Sequence, residues 1–394
     1  MSRMCRKDQT LVLVFALLSI ALWFVPTGFE ERVDASALRA RGRVIEADNA
    51  GLQRHALIKV GAQQLVVEVL DGPLADSRHH VVNQLLGRLD VDKVFAPGEE
   101  ALLVITRNPD GSVNAVVAQD HYRIGLEAGL FGLFALLLLV FGGWTGAKAL
   151  LSFIFTGLVL WKVFIPALLT GIAPVPLAFG VVALLTSGII FLVAGPTRLG
   201  VVAFSGAMLG VGASSALAVW AAKAFHLNGA VMPFAETLLY SGYAHLDLTG
   251  IYVAAIFVAA SGAVMDLAMD VAASQNELVT KAPDITMRDA LWSGIRVGRS
   301  VVGTMTTTLL LAYSGGYVTL LMAFMAQGVP LINIFNLLYV AAEVVKTIVG
   351  SFGLVLVAPF TAVVGAIIYT RPRRQKAAAA EMLPHCPEIA IESR

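Results

Sequence analysis

The chain has 394 residues, of which 57 % are apolar and 14 % are charged, and its net charge is +1. The charged fraction is about half that of an ordinary soluble domain, so the composition excludes a soluble protein and predicts a membrane protein. The chain has no long block of basic residues, so it lacks a surface that would neutralise the phosphates of a nucleic acid. Cys5 and Cys386 lie near opposite ends of the sequence, which excludes a disulfide framework.

The first segment combines positive charge with an apolar run. Arg3, Arg6 and Lys7 precede apolar residues 11–25. This layout predicts a cytoplasmic tail and a retained membrane anchor over residues 1–28. The alternative is a signal sequence that is cleaved near residues 33–37.

Residues 29–123 change to alternating, strand-like runs separated by turn signals such as Asn108-Pro109-Asp110-Gly111. The predicted strands cover residues 40–47, 56–60, 64–70, 101–106 and 113–119. We therefore expect a small extracytoplasmic β-rich domain, either a barrel or a sandwich. A short helix over residues 81–89 would instead give an α+β arrangement.

Long apolar runs fill the helical domain predicted over residues 124–370. They cover residues 126–141, 149–169, 175–194, 199–222, 248–270, 301–326 and 350–369. Most approach the roughly 20 residues that cross a bilayer. With the anchor they predict about eight transmembrane helices, so the expected fold class is a mainly α polytopic membrane bundle with a small β-rich domain.

Positive residues in short loops set the expected orientation. Lys148, Arg198 and the basic residues of 281–299 fall on one side of the bundle, which predicts that both termini are cytoplasmic. Residues 371–394 are then a cytoplasmic tail, expected to be disordered. Residues 331–349 are apolar but would invert the tail if they crossed, so we interpret them as a re-entrant or interfacial helix on the outer side.

Three carboxylates are predicted to share one face of the helix that starts at Leu248. At the 100° per residue of an α-helix, the spacings between Asp266, Asp270 and Glu277 place the three side chains at nearly the same angle around the helix axis. Within the membrane such a group is costly and typical of a proton or cation relay. The alternative for Asp270 and Glu277 is a solvated position beyond the hydrocarbon.

The following spans carry further relay candidates: Arg296, Arg299, Thr304, Thr307, Glu343 and Lys346. An arginine one turn into the membrane would pair with Asp270, or both arginines are positive-inside anchors. Glu343 and Lys346 can pair on one helix face, either along a polar pathway or simply neutralising each other. Lys162 lies mid-span, so we expect it to have a buried partner.

Gly206, Gly210 and Ser214 recur every four residues and predict close helix packing. His226, His245 and Asp247 match no zinc spacing, so we expect no metal site and no cofactor. The sequence contains no phosphate-binding loop, HExxH helix or GxSxG elbow, so we do not expect an enzyme.

Several motifs resemble the YibE/F family of bacterial multi-spanning membrane proteins. They are GAVMDLAMDVAASQNEL from Gly262, GRSVVGTMTTTLLLAYSGG from Gly298, and EVVKTIVGSFGLVLVAPFTAVV from Glu343, together with Gly42-Arg43-Val44-Ile45-Glu46 and Asp92-Lys93-Val94-Phe95. The order of anchor, outer domain and Asp-bearing span is also similar in layout to the SecD/SecF proteins of the resistance-nodulation-division group. That similarity implies proton handling at Asp266, although the number of spans and the size of the outer domain differ.

Two functional hypotheses follow. The first is a proton- or cation-coupled transporter, or a transport-associated protein, of the bacterial inner membrane with Asp266 as its ion site. The second is a scaffold or assembly factor that presents the β-rich domain to a protein partner. In both, the lipid bilayer is the principal contact, and the oligomeric state is open.

Overall fold

A computed structural model describes residues 6–32 and 36–381. Cys5, Cys386, Arg3 and residues 33–35 of the alternative cleavage region lie outside the described residues. The chain divides into two compact units, one of Gly28–Phe141 and one of Met1–Thr27 with Gly142–Arg394.

The smaller unit is a six-stranded sheet in which every paired strand is antiparallel. Its strands are β1 (Ala37–Asp48), β2 (Leu52–His55), β3 (Ile58–Val69), β4 (Arg78–Leu86), β5 (Glu100–Arg107) and β6 (Val113–His121). The order is β2-β3-β1-β5-β6, and β4 pairs with β3. Residues 56–60 and 64–70, predicted as two strands, belong almost entirely to β3.

Alternation along the strands buries one face of this sheet. Val44 of β1 pairs with Val67 of β3, Ala40 pairs with Leu103 of β5, and all four side chains are buried. Because each strand contributes every second side chain to this core, one curled sheet encloses it without a second layer. The sandwich alternative is therefore wrong, and so is the helix over residues 81–89, since Val81 and Leu85 are buried on β4.

The larger unit is helical. Its helices are α1 (Arg6–Phe24), α2 (Ile124–Val159, which begins in the smaller unit), α3 (Ile165–Leu169), α4 (Pro174–Ala194), α5 (Arg198–Ala224), α6 (Ala235–Tyr240), α7 (Leu248–Lys281), α8 (Met287–Ser314), α9 (Val318–Ala326), α10 (Leu331–Asn336) and α11 (Leu338–Glu381). A π-helical segment, Leu160–Phe164, joins α2 to α3.

Among the described residues, six helices are long and apolar enough to cross a membrane, and the shorter Gln9–Phe24 is also apolar. Eight separate spans were predicted. The difference of two arises because residues 126–141 and 149–169 lie in one helical stretch, Ile124–Leu169, and because the anchor helix is among the shorter ones. Gly143 interrupts that stretch with φ 51° and ψ −125°, a backbone conformation that favours glycine.

The interpretation of residues 331–349 as a separate re-entrant segment is wrong. Only the short α10 precedes Leu338, and α11 continues from Leu338 past Gly350 without a break. Glu343 and Lys346 therefore belong to the last apolar span, Leu338–Thr370. The opposite charges of the pair, one turn apart, are compatible with a continuous helix. The same helix extends into the predicted tail as far as Glu381, and residues 382–394 lie outside the described residues.

Small residues let α11 approach its neighbours closely. A Cβ atom at Gly206 of α5 would overlap Thr361, and one at Gly298 of α8 would overlap Ala358. Gly210 of α5 lies against Val357, while Gly353 lies against Ser214. Because an added methyl group has no space at these points, α11 is held between α5 and α8 by backbone-to-side-chain contact.

The first helix packs against the helical unit. The ring of Phe15 lies edge-on to Phe155, with centroids 5.1 Å apart, and Gly188 of α4 lies beneath it. Lys162, for which sequence reasoning could name no partner, donates a hydrogen bond from Nζ to the backbone carbonyl of Val25 at 2.8 Å. The cation therefore caps the carbonyl end of α1, where a positive charge is favourable.

Candidate functional site

The Glu343–Lys346 ion pair is the centre of the candidate site. The two residues lie one turn apart on α11, and Nζ of Lys346 is 2.9 Å from Oε2 and 3.3 Å from Oε1 of Glu343. Each side chain keeps 30 % of its surface exposed. Two half-buried charges inside an apolar span are costly unless they contact each other closely. Ionisable residues within a membrane are also commonly functional.

Two tyrosines from neighbouring helices surround this pair. The Tyr313 ring of α8 has its centroid 5.4 Å from Nζ of Lys346, which is a cation–π distance. Tyr252 of α7 donates a hydrogen bond to the carbonyl of Ala342 at 2.6 Å, next to Glu343. The Tyr313 hydroxyl is buried and has no hydrogen-bond partner among the described residues.

These four side chains lie at one end of the bundle. Tyr252 and Glu343 are near the starts of α7 and α11, and Tyr313 is near the end of α8. Because α8 runs antiparallel to α7 and α11, its end lies beside their starts. The ion pair and the two phenols form one polar layer there, and Gly350 lies beneath Tyr313. We call Tyr252, Tyr313, Glu343 and Lys346 the Glu–Lys layer.

A groove between α8 and α11 begins next to this layer. Its volume is about 490 Å³. Thr306 and Thr307 donate to the carbonyls of Val302 and Gly303 within their own helix. We call this the α8–α11 groove; its eight lining residues are Thr306, Thr307 and Leu310 of α8 and Thr347, Ile348, Ser351, Phe352 and Val355 of α11.

The carboxylates predicted as the relay lie elsewhere. Asp266 and Asp270 share a face of α7, as the spacing predicted, but both side chains are exposed at the surface of this unit. Glu277 is also exposed and pairs with Lys281 at 2.6 Å. The buried face of α7 at this level is occupied by Val264, Leu267 and Ala268 instead.

The predicted partners of these acids are not brought to them. Arg296 and Arg299 are exposed and form no ion pair with any described residue, so the alternative in which one of these arginines pairs with Asp270 is wrong. Thr304 donates to the carbonyl of Val301 and does not line the groove that Thr307 lines. Of the predicted relay residues, the structure gathers Thr307, Glu343 and Lys346 in the region of the Glu–Lys layer.

Gln275 was missed by sequence reasoning. It is 1 % exposed, and its amide donates to the carbonyls of Ala290 at 2.9 Å and Ala362 at 3.0 Å. Gly294 and Gly365 lie against it from α8 and α11. An amide near the end of a long apolar helix, with glycines in the following helices, was the available signal. Its Oε1 has no partner among the described residues.

The described residues contain no group of three or more histidine, cysteine, aspartate or glutamate side chains that could hold a metal ion. His245 instead approaches the carbonyl of Leu169 at 3.2 Å. What the helical unit does offer is an ion pair, buried phenol and amide groups, and hydroxyl side chains. These groups can exchange a proton, hold a cation or fix helices to one another.

Comparison with known proteins places the chain in a family. No curated protein and no solved structure matches it. The likeness in layout to SecD/SecF thus has no support from these comparisons. A family model described as YibE/F-like protein matches residues 130–371, which include most of α2, the helices α4, α5, α7 and α8, and α11 up to residue 371. The chain belongs to the YibE/F-like family of membrane proteins.

Proposed function

We propose that this protein is a bacterial inner-membrane transport protein, or a transport-associated one, in which the Glu–Lys layer handles a proton or a cation. The observation that carries the proposal is the half-buried Glu343–Lys346 pair within the apolar span of α11. The proposal places both termini in the cytoplasm and includes no enzymatic activity and no cofactor.

Protonation of Glu343 has a direct structural consequence in this arrangement. A neutral carboxyl group no longer balances Lys346, whose remaining contact in the layer is the face of Tyr313. The cation then has to move, or Tyr313 at the end of α8 has to follow it. Binding of a proton or of a competing cation at Glu343 is thereby linked to the positions of the Lys346 side chain and of the end of α8 that carries Tyr313.

Asp266 is not given this role. Its side chain lies on the exposed face of α7, where no described residue pairs with it. The proton-handling position implied by the likeness to SecD/SecF is consequently moved to α11.

The experiment is a flux measurement on the full chain in proteoliposomes that contain a pH-sensitive dye, with imposed proton, sodium or potassium gradients. Glu343→Gln is expected to reduce flux at least tenfold. Glu277→Gln is the matched control, because Glu277 pairs with a lysine on an exposed surface. If Glu343→Gln and wild type give equal flux, or if neither exceeds protein-free vesicles, the proposal is wrong.

The scaffold hypothesis is favoured by a different observation. The buried polar groups Tyr252, Gln275 and Tyr369 all donate to backbone carbonyls of neighbouring helices, which fixes helices together without exposing a binding group. Under this hypothesis a protein partner binds the β-rich domain. Deletion of residues 29–120 should then abolish co-purification of a partner while flux stays at background in every variant.

A further inference from the structure

A cavity lies at one end of the β-rich sheet, between the start of β1 and the end of β5. Its volume of about 510 Å³ is within the range of roughly 300–1,000 Å³ that small-molecule sites occupy. Arg39 of β1 and Arg107 of β5 both line it, together with the turn residues Asn108 and Pro109. We call it the two-arginine cavity.

Neither arginine of this cavity has an acidic partner. Among the described residues, no aspartate or glutamate forms an ion pair with Arg39 or Arg107. In the same part of the chain, the Arg39 side chain donates to the carbonyl of Ala37 alone, at 3.4 Å, and that of Arg107 donates to no acceptor. Asp110 of the adjoining turn is engaged by Ser112, whose amide and hydroxyl both donate to it. Two like charges on one cavity repel each other, so an anion between them would be stabilising.

The guanidinium of Arg107 is half-buried but can still be reached. Its Nε is enclosed and has no hydrogen-bond partner among the described residues, whereas its two Nη atoms are not enclosed. A partly desolvated cation without an acceptor is costly. An anion that accepts from the Nη atoms would offset this cost without displacing any contact of the protein.

The backbone around Arg107 holds the side chain at the cavity. Thr106 of β5 pairs with Ala115 of β6. Arg107 pairs with Val113, which leaves Asn114 as an extra residue of β6. A β-bulge of this kind redirects neighbouring side chains and is common beside binding sites.

The charge of the two side chains favours a phosphate group. A guanidinium can donate two parallel hydrogen bonds to an oxyanion, and two arginines carry a charge of about +2. A phosphate monoester carries about −1.5 to −2 at neutral pH, whereas a single carboxylate carries about −1. The phosphate therefore neutralises both arginines. Leu38 and Pro109 line the same cavity and offer an apolar wall to the carbon part of such a molecule.

The position of the cavity indicates a soluble source for that phosphate. Asn108 and Pro109 precede β6, whereas α2, part of a stretch long and apolar enough to cross a membrane, follows it. The 9 residues of β6 cover about 30 Å at roughly 3.3 Å per residue. The cavity thus lies at the opposite end of this strand from the membrane-crossing helix, away from lipid headgroups.

We propose that the two-arginine cavity binds the phosphate group of a small soluble molecule, with Arg39 and Arg107 donating to its oxygens. The proposal is independent of ion handling by Glu343, since this site would bind phosphate in a transporter or in a scaffold.

The test is phosphorus NMR of inorganic phosphate titrated with the full chain in maltoside micelles, at neutral pH and low ionic strength. Saturable line broadening with a Kd of about 1 mM or below is expected, the affinity of a few charge-assisted hydrogen bonds. Arg107→Gln should weaken binding about ten- to hundredfold. Arg39→Gln should weaken it about two- to fivefold, because Arg39 is exposed and its loss leaves the fold intact.

Arg54→Gln is the matched control. Arg54 is an exposed arginine of β2 that also donates to a nearby backbone carbonyl, that of Ala56, and it does not line the cavity. Its Kd should equal that of wild type. The proposal is overturned if wild type shows no saturable binding, if Arg107→Gln and Arg39→Gln bind like wild type, or if Arg54→Gln weakens binding as much as Arg39→Gln does.

Two further arms separate other ligands. Glycerol 3-phosphate is expected to displace inorganic phosphate, whereas succinate that displaces it at equal concentration would overturn the assignment to a phosphate group. Phosphatidylglycerol added to the micelles should leave phosphate binding unchanged. If this lipid displaces inorganic phosphate, the assignment to a soluble molecule is overturned.

Discussion

The phenol of Tyr252 donates to the backbone carbonyl of Ala342 at 2.6 Å, and Ala342 directly precedes the acidic member of the Glu–Lys layer. The bond joins α7 to α11 where both helices begin. Because the carbonyl also lies within the hydrogen-bonded helix of α11, loss of the phenol leaves it partly satisfied.

Tyr252→Phe is therefore expected to destabilise the helical unit by about 0.5–1.5 kcal/mol, the net value of one such bond. Thermal unfolding of the detergent-purified chain would show this as a lower Tm. Tyr240→Phe is the control, since Tyr240 is 88 % exposed. Equal Tm values for Tyr252→Phe and wild type would contradict a stabilising role for the hydrogen bond between Tyr252 and Ala342.

Gly365 and Gln275 should be coupled. A Cβ at position 365 would meet the Gln275 carboxamide and come within 3.2 Å of Val202. Gly365→Ala should cost about 1–3 kcal/mol, as overpacking does. In the background of Gln275→Ala the same change should cost less, with a coupling of about 0.5–3 kcal/mol. A double-mutant cycle of unfolding free energies measures this, and strict additivity would count against the contact.

Gly262 provides the control for that cycle. It lies on the exposed face of α7, and a Cβ there would meet no atom within 4 Å. Gly262→Ala is expected to leave stability unchanged or to raise it slightly, because alanine favours the helix more than glycine does.

The β-rich domain should lose stability in acid through Glu100. Hydrogen bonding and charge from Arg41, whose guanidinium donates to both carboxylate oxygens at 2.5 and 2.7 Å, hold the pKa of Glu100 below its ordinary value of 4.5. A depressed carboxylate pKa stabilises the folded state above the unfolded pKa. That contribution is lost as the pH falls from about 4.5 through the lower folded value.

Amide hydrogen exchange of β1 and β5 in the full chain should detect this loss as faster exchange between pH 5 and acid conditions, after correction for intrinsic rates. Glu100→Gln should exchange faster already at pH 7 and show a smaller change on acidification. Glu46→Gln, at an exposed acid of β1, should behave like wild type. An equal acid response in Glu100→Gln and wild type would refute the role of the pair.

The first helix should be retained in the mature protein. Its contacts, Phe15 with Phe155 and the Val25 carbonyl with Lys162, would be lost on cleavage. Intact mass spectrometry of the chain purified from a bacterial host should therefore show the full N-terminal segment. A mature form that starts near residues 33–37 would instead favour the signal-sequence alternative. In the retained form, Lys162→Met should increase the reactivity of a cysteine placed at Phe15 toward a small maleimide.

Sequence reasoning located the apolar helices and the β-rich segment because both patterns are local. The predicted apolar runs 175–194 and 199–222 coincide closely with α4 and α5. The alternating stretches that contain Val44 and Val67 lie in the strands β1 and β3. The kink at Gly143 was not predictable, since a glycine between two apolar runs is equally compatible with a loop. The continuity of α11 was missed because residues 331–349, counted as a span of their own, would have placed the basic tail on the opposite side of the membrane.

The site was harder to predict because burial depends on rotation of a helix against its neighbours. The spacing of Asp266 and Asp270 correctly predicts a shared face, but spacing alone does not say whether that face packs or is exposed. Partners from distant segments, such as Val25 for Lys162 or Ala362 for Gln275, have no signal in a single sequence.

The close glycine contacts of α11 restrict which movements the bundle can make. With Gly206 pressed on Thr361 and Gly298 on Ala358, α11 cannot slide past α5 or α8 by a fraction of a turn without steric overlap. Any conformational cycle must therefore carry these helices together as one rigid block, with bending confined to the less tightly held segments at its ends, among them the short helices α9 and α10.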